Sequence, residues 1–489
     1  MSTTDLPTLL LPLLLAGISP AQTEAPQAPG GAPPKILAMP DGMRVVLLER
    51  PTAGLACLAT FTAAGRACQA PGEEGITAVL ARESLTGTTG LGGPGWAEEK
   101  RLQVERERLL LAALKARLEG RSLGEEEKRR LAETTDRLDR LTAPRAWPAR
   151  LEEEGGCGLR TGSGPRGFSL AAALPAERAG RWFAFEAARL RAPALRTLLD
   201  TSRRSRRAEG VQWRRDPRRR ALAALLQLAF RRHPLRDWLS PPPPGPIRWT
   251  RARRFWRREV RPRRTVIALV GSWPEELGPI CRALFQPAPD ARPPALEPPS
   301  EPPQEGARRE ETLPGDPPGA WLGWRIPPGT DPAVLLVLAD LLGNSRAGYL
   351  SAFLARDMGS LSRAEVLAPF PCPGEPALFV IGAAPRPGGK GLQAARTVIG
   401  HLSSWRPREG ETTRARHRVV AALRRRRASP LDLALGLARA EAAGEGARAW
   451  LELPRRVAAV AGEEVEKPAA TLFQESRLNR VVTGPSGEE

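Results

Sequence analysis

The 489-residue chain has little of several things. It holds one tyrosine, three histidines, four methionines and five cysteines, and aromatic residues make up only 5% of it. The histidines are His233, His401 and His417, far apart in the chain, so a metal site built from imidazole is hard to assemble. The cysteines Cys57, Cys68, Cys157, Cys281 and Cys372 are scattered, odd in number and form no C-x-x-C pair. That argues against a structural zinc site and against a disulfide-built fold. Isolated buried thiols are expected, with one necessarily free or paired to another chain. No apolar run reaches the roughly 18 residues a transmembrane helix needs. No G-x-S-x-G, no Gly-Lys-Ser/Thr phosphate loop and no strand–G-x-G-x-x-G–helix unit occurs, which removes the motif support for those hydrolase and nucleotide-binding classes.

What is abundant is charge. There are 74 basic and 54 acidic residues, a net charge of +20, and only six of the basic residues are lysine. With 51 prolines and 47 glycines, the composition resembles that of a GC-rich genome, so arginine excess alone does not point to nucleic acid. The excess is nevertheless local: residues 200–264 carry 21 basic and five acidic side chains. A hydrophobic content of 41% permits a packed core, and the length suggests roughly two to four domains.

The chain opens with a short apolar run, residues 6–18, followed by Ser19-Pro20-Ala21. A small-x-Ala ending after such a run reads as a secretory signal over 1–21, although the n-region has Asp5 and no basic residue. Export to the periplasm or exterior is expected, without a lipid anchor, since no cysteine follows the run. Residues 22–34 read as a Pro/Gly linker. Two apolar runs around Asp41-Gly42 predict a β-hairpin, 55–63 a strand, and 73–85 a helix ending at Gly87. Residues 96–154 repeat leucine at helical spacing with 14 acidic and 14 basic residues from Ala97 to Glu154, an amphipathic helical hairpin. It is read as a solvated insertion or as a docking arm. Strands at 168–174 and 265–270 flank helices at 176–191 and 221–230, and a Pro/Glu-rich linker spans 286–316. The order then repeats, with strands at 320–326 and 377–383, helices at 331–342, 350–357, 392–402, 414–427 and 430–443, and a last strand at Val481-Val482. Two α+β halves follow, residues 35–285 with the hairpin inserted and residues 317–489.

These landmarks resemble the pitrilysin/insulinase-like metallopeptidases, the inverted-zincin family that includes mitochondrial processing peptidases. The resemblance covers residues 35–487. It is carried by Pro40-Asp41-Gly42-Met43-Arg44-Val45-Val46-Leu47, by 65–88, 155–159 leading to Leu174-Pro175, 185–193 and 229–234, and in the second half by 331–343, 350–359 and 457–465. It implies two homologous metallohydrolase-type α/β roll halves, each an antiparallel sheet with helices on one face, joined by the Pro-rich linker. It also implies H-x-x-E-H on a helix, where two histidines one turn apart bind zinc and the glutamate activates water.

The matching helix departs from that pattern. Gly75, Gly87 and Thr88 fix the register, which puts Ala78 and Arg82 at the histidine positions and Ala81 at the glutamate position. The third ligand position falls on Glu209 or, with a two-residue shift, on Arg207. Alanine has no donor atom, and a guanidinium cannot donate a lone pair and repels a dication. The family's substrate-clamping Arg and Tyr are matched by Ala355 and Ser362, with Arg356 one residue away, and its edge-strand Asn by Arg160. The expectation is therefore a non-catalytic homologue with no metal, cofactor or catalytic residue, acting as scaffold or regulatory partner of an active zinc peptidase of the same family. A homo-oligomer or a peptide ligand is compatible with this. The alternatives are a zinc metalloendopeptidase with an altered site and a basic anion- or nucleic-acid-binding protein.

Overall fold

Alternating apolar runs build two sheets in the computed structural model, which describes residues 33–93, 95–142, 146–243, 245–287, 295–304, 309–314, 316–373 and 376–484. The expected signal segment, most of the linker after it and parts of the 286–316 connection lie outside the described residues. The first sheet holds β1 (Lys35–Ala38), β2 (Arg44–Glu49), β3 (Leu55–Thr62), β4 (Cys157–Ser163), β5 (Phe168–Pro175) and β6 (Thr265–Gly271), in the order β1-β2-β6-β3-β5-β4. The second holds β7 (Arg309–Pro314), β8 (Gly319–Arg325), β9 (Arg363–Phe370), β10 (Leu378–Ala384) and β11 (Asn479–Gly484), in the order β7-β11-β8-β10-β9.

Without β1, the two orders are the same permutation. In each sheet the opening and closing strands pair parallel, β2 with β6 and β7 with β11, and the other pairs are antiparallel. The repeat that residue pattern only suggests is thus explicit in topology. The expected sheets are antiparallel apart from that one parallel pair in each. Strand β7 lies inside the stretch read as linker, so part of that linker is a sheet edge. At the predicted hairpin, Gly42 takes φ +90° and Asp41 Oδ1 accepts from Met43 N at 3.0 Å, the local chemistry a tight turn requires.

In the first half, α1 (Ile76–Glu83), α2 (Trp96–Leu118), α3 (Glu125–Leu141) and α4 (Ala146–Glu153) separate β3 from β4. Helices α5 (Ala179–Arg191), α6 (Leu198–Arg215), α7 (Pro217–Ala229) and α8 (Trp249–Glu259) separate β5 from β6, and α9 (Leu277–Leu284) follows. In the second half, α10 (Pro332–Gly343) and the π-helical segment Tyr349–Asp357 precede β9. Helices α11 (Gly391–Ser404), α12 (Glu411–Arg426), α13 (Pro430–Ala442), α14 (Ala447–Ala459) and α15 (Gly462–Leu472) then lead into β11. The hairpin forms as α2 and α3, crossed by the pairs Arg130–Glu105 (2.6 Å) and Arg137–Glu98. Helices α6 and α8 have no counterpart in the sequence reading: most of α6 beyond Leu199 is arginine and polar residues, whereas α8 has a buried stripe, Trp249, Ala252, Phe255 and Trp256, set among arginines.

Each half covers one face of its sheet with its own helices. Trp147, Trp182, Phe183 and Phe285 pack on Leu58, Leu170 and Leu269 in the first half. Leu338, Leu341, Val398 and Leu472 pack on Leu322, Phe379 and Ile381 in the second. The other faces are exchanged. Helix α13 of the second half lays Leu433, Ala434, Leu437 and Ala438 on Val46, Ala59, Val266 and Ala268. Helix α7 of the first half lays Leu222, Leu225 and Leu226 on Trp321, Leu378, Val380 and Val481. Gly323 on β8 permits this, since a side chain there would meet Leu225 at about 3.1 Å. The expected single helical face therefore becomes two faces, the second supplied by the other half. No helix among the described residues is long and apolar enough to cross a membrane.

Candidate functional site

Helix α1 begins at Gly75, which holds φ +78°, and its NH is bonded to Gln69 Oε1 at 3.2 Å. Its apolar positions are one-sided. Ile76, Val79, Leu80 and Ala81 enter a core with Leu195, Leu198, Phe255 and Trp256. Ala78 and Arg82, four residues apart, share the exposed face. Ala81, at the position of the catalytic glutamate in the resemblance, is buried at 4% exposure.

The exit of α1 is tightly held. Glu83 is buried and accepts from Thr197 Oγ1 at 2.9 and 3.0 Å, and burial pushes its carboxyl above the usual range. Ser84 Oγ accepts from Arg189, which forms a buried fork with Glu186 at 2.6 and 2.7 Å. Arg196 bonds the carbonyls of Thr86, Thr88 and Leu91 and pairs with buried Glu99 at 2.9 Å. Burial is costly for unpaired ions, and Arg189 and Arg196 are each paired with a buried carboxylate, although Arg196 Nε and Glu99 Oε1 are left without a hydrogen bond among the described residues. The exit of α1 is thus anchored to α2, α5 and the start of α6 by side-chain hydrogen bonds.

Helix α6 packs on α1. Glu209 is half-buried, whereas Arg207 is exposed on the other side of the helix. Glu209 accepts from Ser205 Oγ at 3.3 Å. Its charge is felt by Arg66, in the 3-10 turn Arg66–Cys68, and by Arg206. Arg206 donates to Glu74 O at 2.6 Å and Gly245 O at 3.1 Å. Burial lowers the pKa of both guanidinium groups, with Glu74 and Glu209 working against the shift.

These residues do not fit a zinc ion. The donor set of Ala78, Ala81, Arg82 and Glu209 offers one carboxylate, and that carboxylate already lies in the field of two arginines that a dication would have to displace or tolerate. No group of three or more His, Cys, Asp or Glu suited to a metal occurs among the described residues. Arg66 and Arg206 were not singled out by sequence reasoning. The arginine density of 200–264 is the signal for Arg206, and Arg66 comes from a distant turn.

The other marked residues lie apart. Ala355 packs against the second core, and Ser362 is exposed and donates to Ala384 O at 3.3 Å. Arg356 is exposed and pairs with its neighbour Asp357 at 2.8 Å. Arg160 on the edge strand β4 pairs with Asp432 of α13 at 3.1 Å. His233 is buried: its Nδ1 accepts from Leu235 N at 3.2 Å, and burial beside Arg166 depresses its pKa to about 4. Tyr349 OH and His401 Nδ1 lie 3.0 Å apart, and His417 is exposed on α12. All five cysteines are free, Cys157 exposed and the others buried, with Cys281 pushed up to about 12 by burial.

The cationic segment 200–264 sorts into two groups. Much of it is structural. Arg258 pairs with Glu73 (2.7 Å) and Glu259 (2.6 Å), Arg264 with Glu259 (2.6 Å), Arg218 with Glu365 (2.9 Å) and Arg220 with Asp316. Arg253 lies over Trp96 and Trp249 at 5.1 and 4.9 Å from the ring centres. Arg204, Arg207, Arg215, Arg254 and Arg257, by contrast, are exposed and pair with no carboxylate among the described residues.

No family profile matches the sequence, and no curated protein matches it. Solved structures do. A protease from Helicobacter pylori superposes with TM-score 0.69 at 13% identity, over 93% of this chain and all of the other. A peptidase M16 inactive domain from Pseudomonas fluorescens gives TM-score 0.62 at 14% identity, over 93% and 99%. An M16-like peptidase from Alicyclobacillus acidocaldarius gives 0.61 at 13%, over 95% and 100%. The chain therefore has the two-half fold of the M16-like peptidases along its length.

Proposed function

We propose that this protein is a non-catalytic member of the pitrilysin-like group, exported from the cytoplasm, which serves as scaffold or regulatory partner of an active zinc peptidase of the same fold. The observation that carries the reading is the face of α1. It is held rigidly in place, yet it presents Ala78 and Arg82 where two ligands belong, while Glu209 lies in the field of Arg66 and Arg206. An architecture kept whole around a site with a single carboxylate fits a role that uses the shape and not the chemistry. That one of the similar structures is described as an inactive domain supports the same reading.

The partnership is tested by co-expression with a neighbouring gene product that carries H-x-x-E-H. Co-elution as one complex and altered peptidase activity of the partner are expected. Separate elution with unchanged activity refutes the pairing. Export is tested by fractionation of cells expressing the full chain: a periplasmic or secreted product lacking its first residues is expected, and a cytoplasmic full-length product refutes it.

A further inference from the structure

A cavity of about 690 Å3 opens on the helical side of the second sheet, between α11 and the loops that follow the π-helical segment and β10. The opposite face of that sheet is occupied by α7, so this cavity is separate from the α1–α6 region. Helix α11 buries Ala395, Val398 and Leu402 against the sheet, and its outward positions line the cavity.

Alongside Pro385, Ala394 and Gly400, the lining carries several side-chain donors, most of them solvent-exposed. Arg386 and Arg396 enter from two different elements, the loop after β10 and α11. Gln393, Thr397, His401 and Ser404 supply amide, hydroxyl and imidazole groups, and no carboxylate is among the described lining residues. Some arginines of this chain are matched with carboxylates, as in the Arg189–Glu186 and Arg218–Glu365 forks, while exposed ones such as Arg204 and Arg254 are not. Arg386 and Arg396 have no such partner among the described residues. Arg386 is also positioned in advance. Its Nη2 donates to Met358 O at 2.9 Å, and Gly359, at φ +57°, leaves the room the guanidinium occupies, since a side chain there would meet it at 3.1 Å. His401 is oriented from behind by the chain's single tyrosine, Tyr349.

We propose that this cavity binds a phosphate-type oxyanion group. Two guanidinium groups set apart on separate elements suit a dianion, and the surrounding hydroxyl and amide donors complete its shell. No Phe, Tyr or Trp is among the described lining residues and the one ring there is the His401 imidazole, so the chemistry of the lining favours the oxyanion over a base. The source is a soluble phosphate ester or a phosphate headgroup at a membrane surface.

The test uses the full chain and four proteins: wild type, Arg386→Gln, Arg396→Gln, and Arg254→Gln/Arg257→Gln, whose exposed arginines lie on α8 in the other half. Each is titrated calorimetrically with inorganic phosphate and with glycerol 3-phosphate, and sedimented with phosphatidic acid vesicles. Circular dichroism checks that the variants are folded. A saturable interaction weakened about tenfold or more by either cavity variant and unchanged in the α8 double variant supports the site. Binding of the soluble probes assigns a free ester. Binding of vesicles alone, lost in the same cavity variants, assigns a headgroup. Absence of binding to all three probes, or equal loss in the α8 variant, overturns it.

Discussion

The two halves share a strand order yet treat corresponding helices differently. Helix α1 and helix α10 each follow the second strand of the repeat. Helix α10 is capped by Asp331, whose carboxylate accepts from Ala333 N at 2.7 Å, and nearly every side is apolar and packed. Helix α1 has no side-chain cap and leaves one face open, with Ala78 and Arg82 on it. Packing constrains the buried face of α1 as strongly as it constrains α10, because each position touches the core. Only chemistry constrains the open face. A substitution on that face would leave the fold untouched, so the fold and the chemistry of the site can vary independently.

A second comparison concerns the exchanged helices. Both α7 and α13 start with a side-chain cap and a proline, Asp216-Pro217 and Ser429-Pro430, and each covers the other half's sheet. Leu225→Ala and Leu437→Ala break this reciprocity most directly. Both side chains are fully buried, and each truncation is expected to cost about 2–5 kcal/mol in chemical denaturation. The exchange also specifies where protection falls. Hydrogen exchange should quicken in β8, β10 and β11 for Leu225→Ala and in β3 and β6 for Leu437→Ala. Faster exchange confined to the half that carries the mutation contradicts the reciprocal arrangement.

The next effect separates the halves by pH. His233 lies where the first half meets the connection, and Glu301 accepts from the backbone NH groups of Arg231, Arg232 and His233, each at 2.8 Å, while pairing with Arg325 of the second half at 2.7 Å. Since the folded pKa of His233 is near 4 and its ordinary value is 6.5, the unfolded chain takes up the proton first as pH falls. Stability is full above pH 6.5 and declines toward pH 4, by on the order of 3 kcal/mol from this residue. The variant His233→Asn keeps an acceptor for Leu235 N and should flatten that part of the stability–pH curve. An unchanged curve refutes the assignment.

Helix α1 was legible in the sequence, which reads as a helix over 73–85 ending at Gly87, and the structure forms Ile76–Glu83. The hairpin, the two-sheet class and most strands were legible from periodicity. The exchange of α7 and α13 was not, since the apolar stripe of residues 221–230 looks the same whichever sheet it covers. Arg66 was not, because only folding brings its turn to Glu209. The polar contacts that bury Glu99, Arg106 and Glu107 of α2 were also hidden, as they read as a solvated face.

The smallest expected effects belong to the edge pairs. Each exchanged helix carries an N-terminal charge that meets the other sheet's edge strand: Arg218 with Glu365 in a fork of 3.0 and 2.9 Å, and Asp432 with Arg160 at 3.1 Å. Both pairs are partly exposed, so double-mutant cycles should return about 1 kcal/mol or less, with the forked pair the stronger. A larger coupling at Arg160–Asp432 would reverse that ranking and give the β4 edge a heavier structural role.

On the proposed reading, the α1 face, with Ala78 and Arg82 exposed on it, binds no zinc. The direct measurement is zinc content by mass spectrometry on the full chain after zinc loading and dialysis. Less than about 0.1 zinc per chain is expected, with no chelator-sensitive peptide cleavage. About one zinc per chain, lost together with peptidase activity on chelation, would contradict the account.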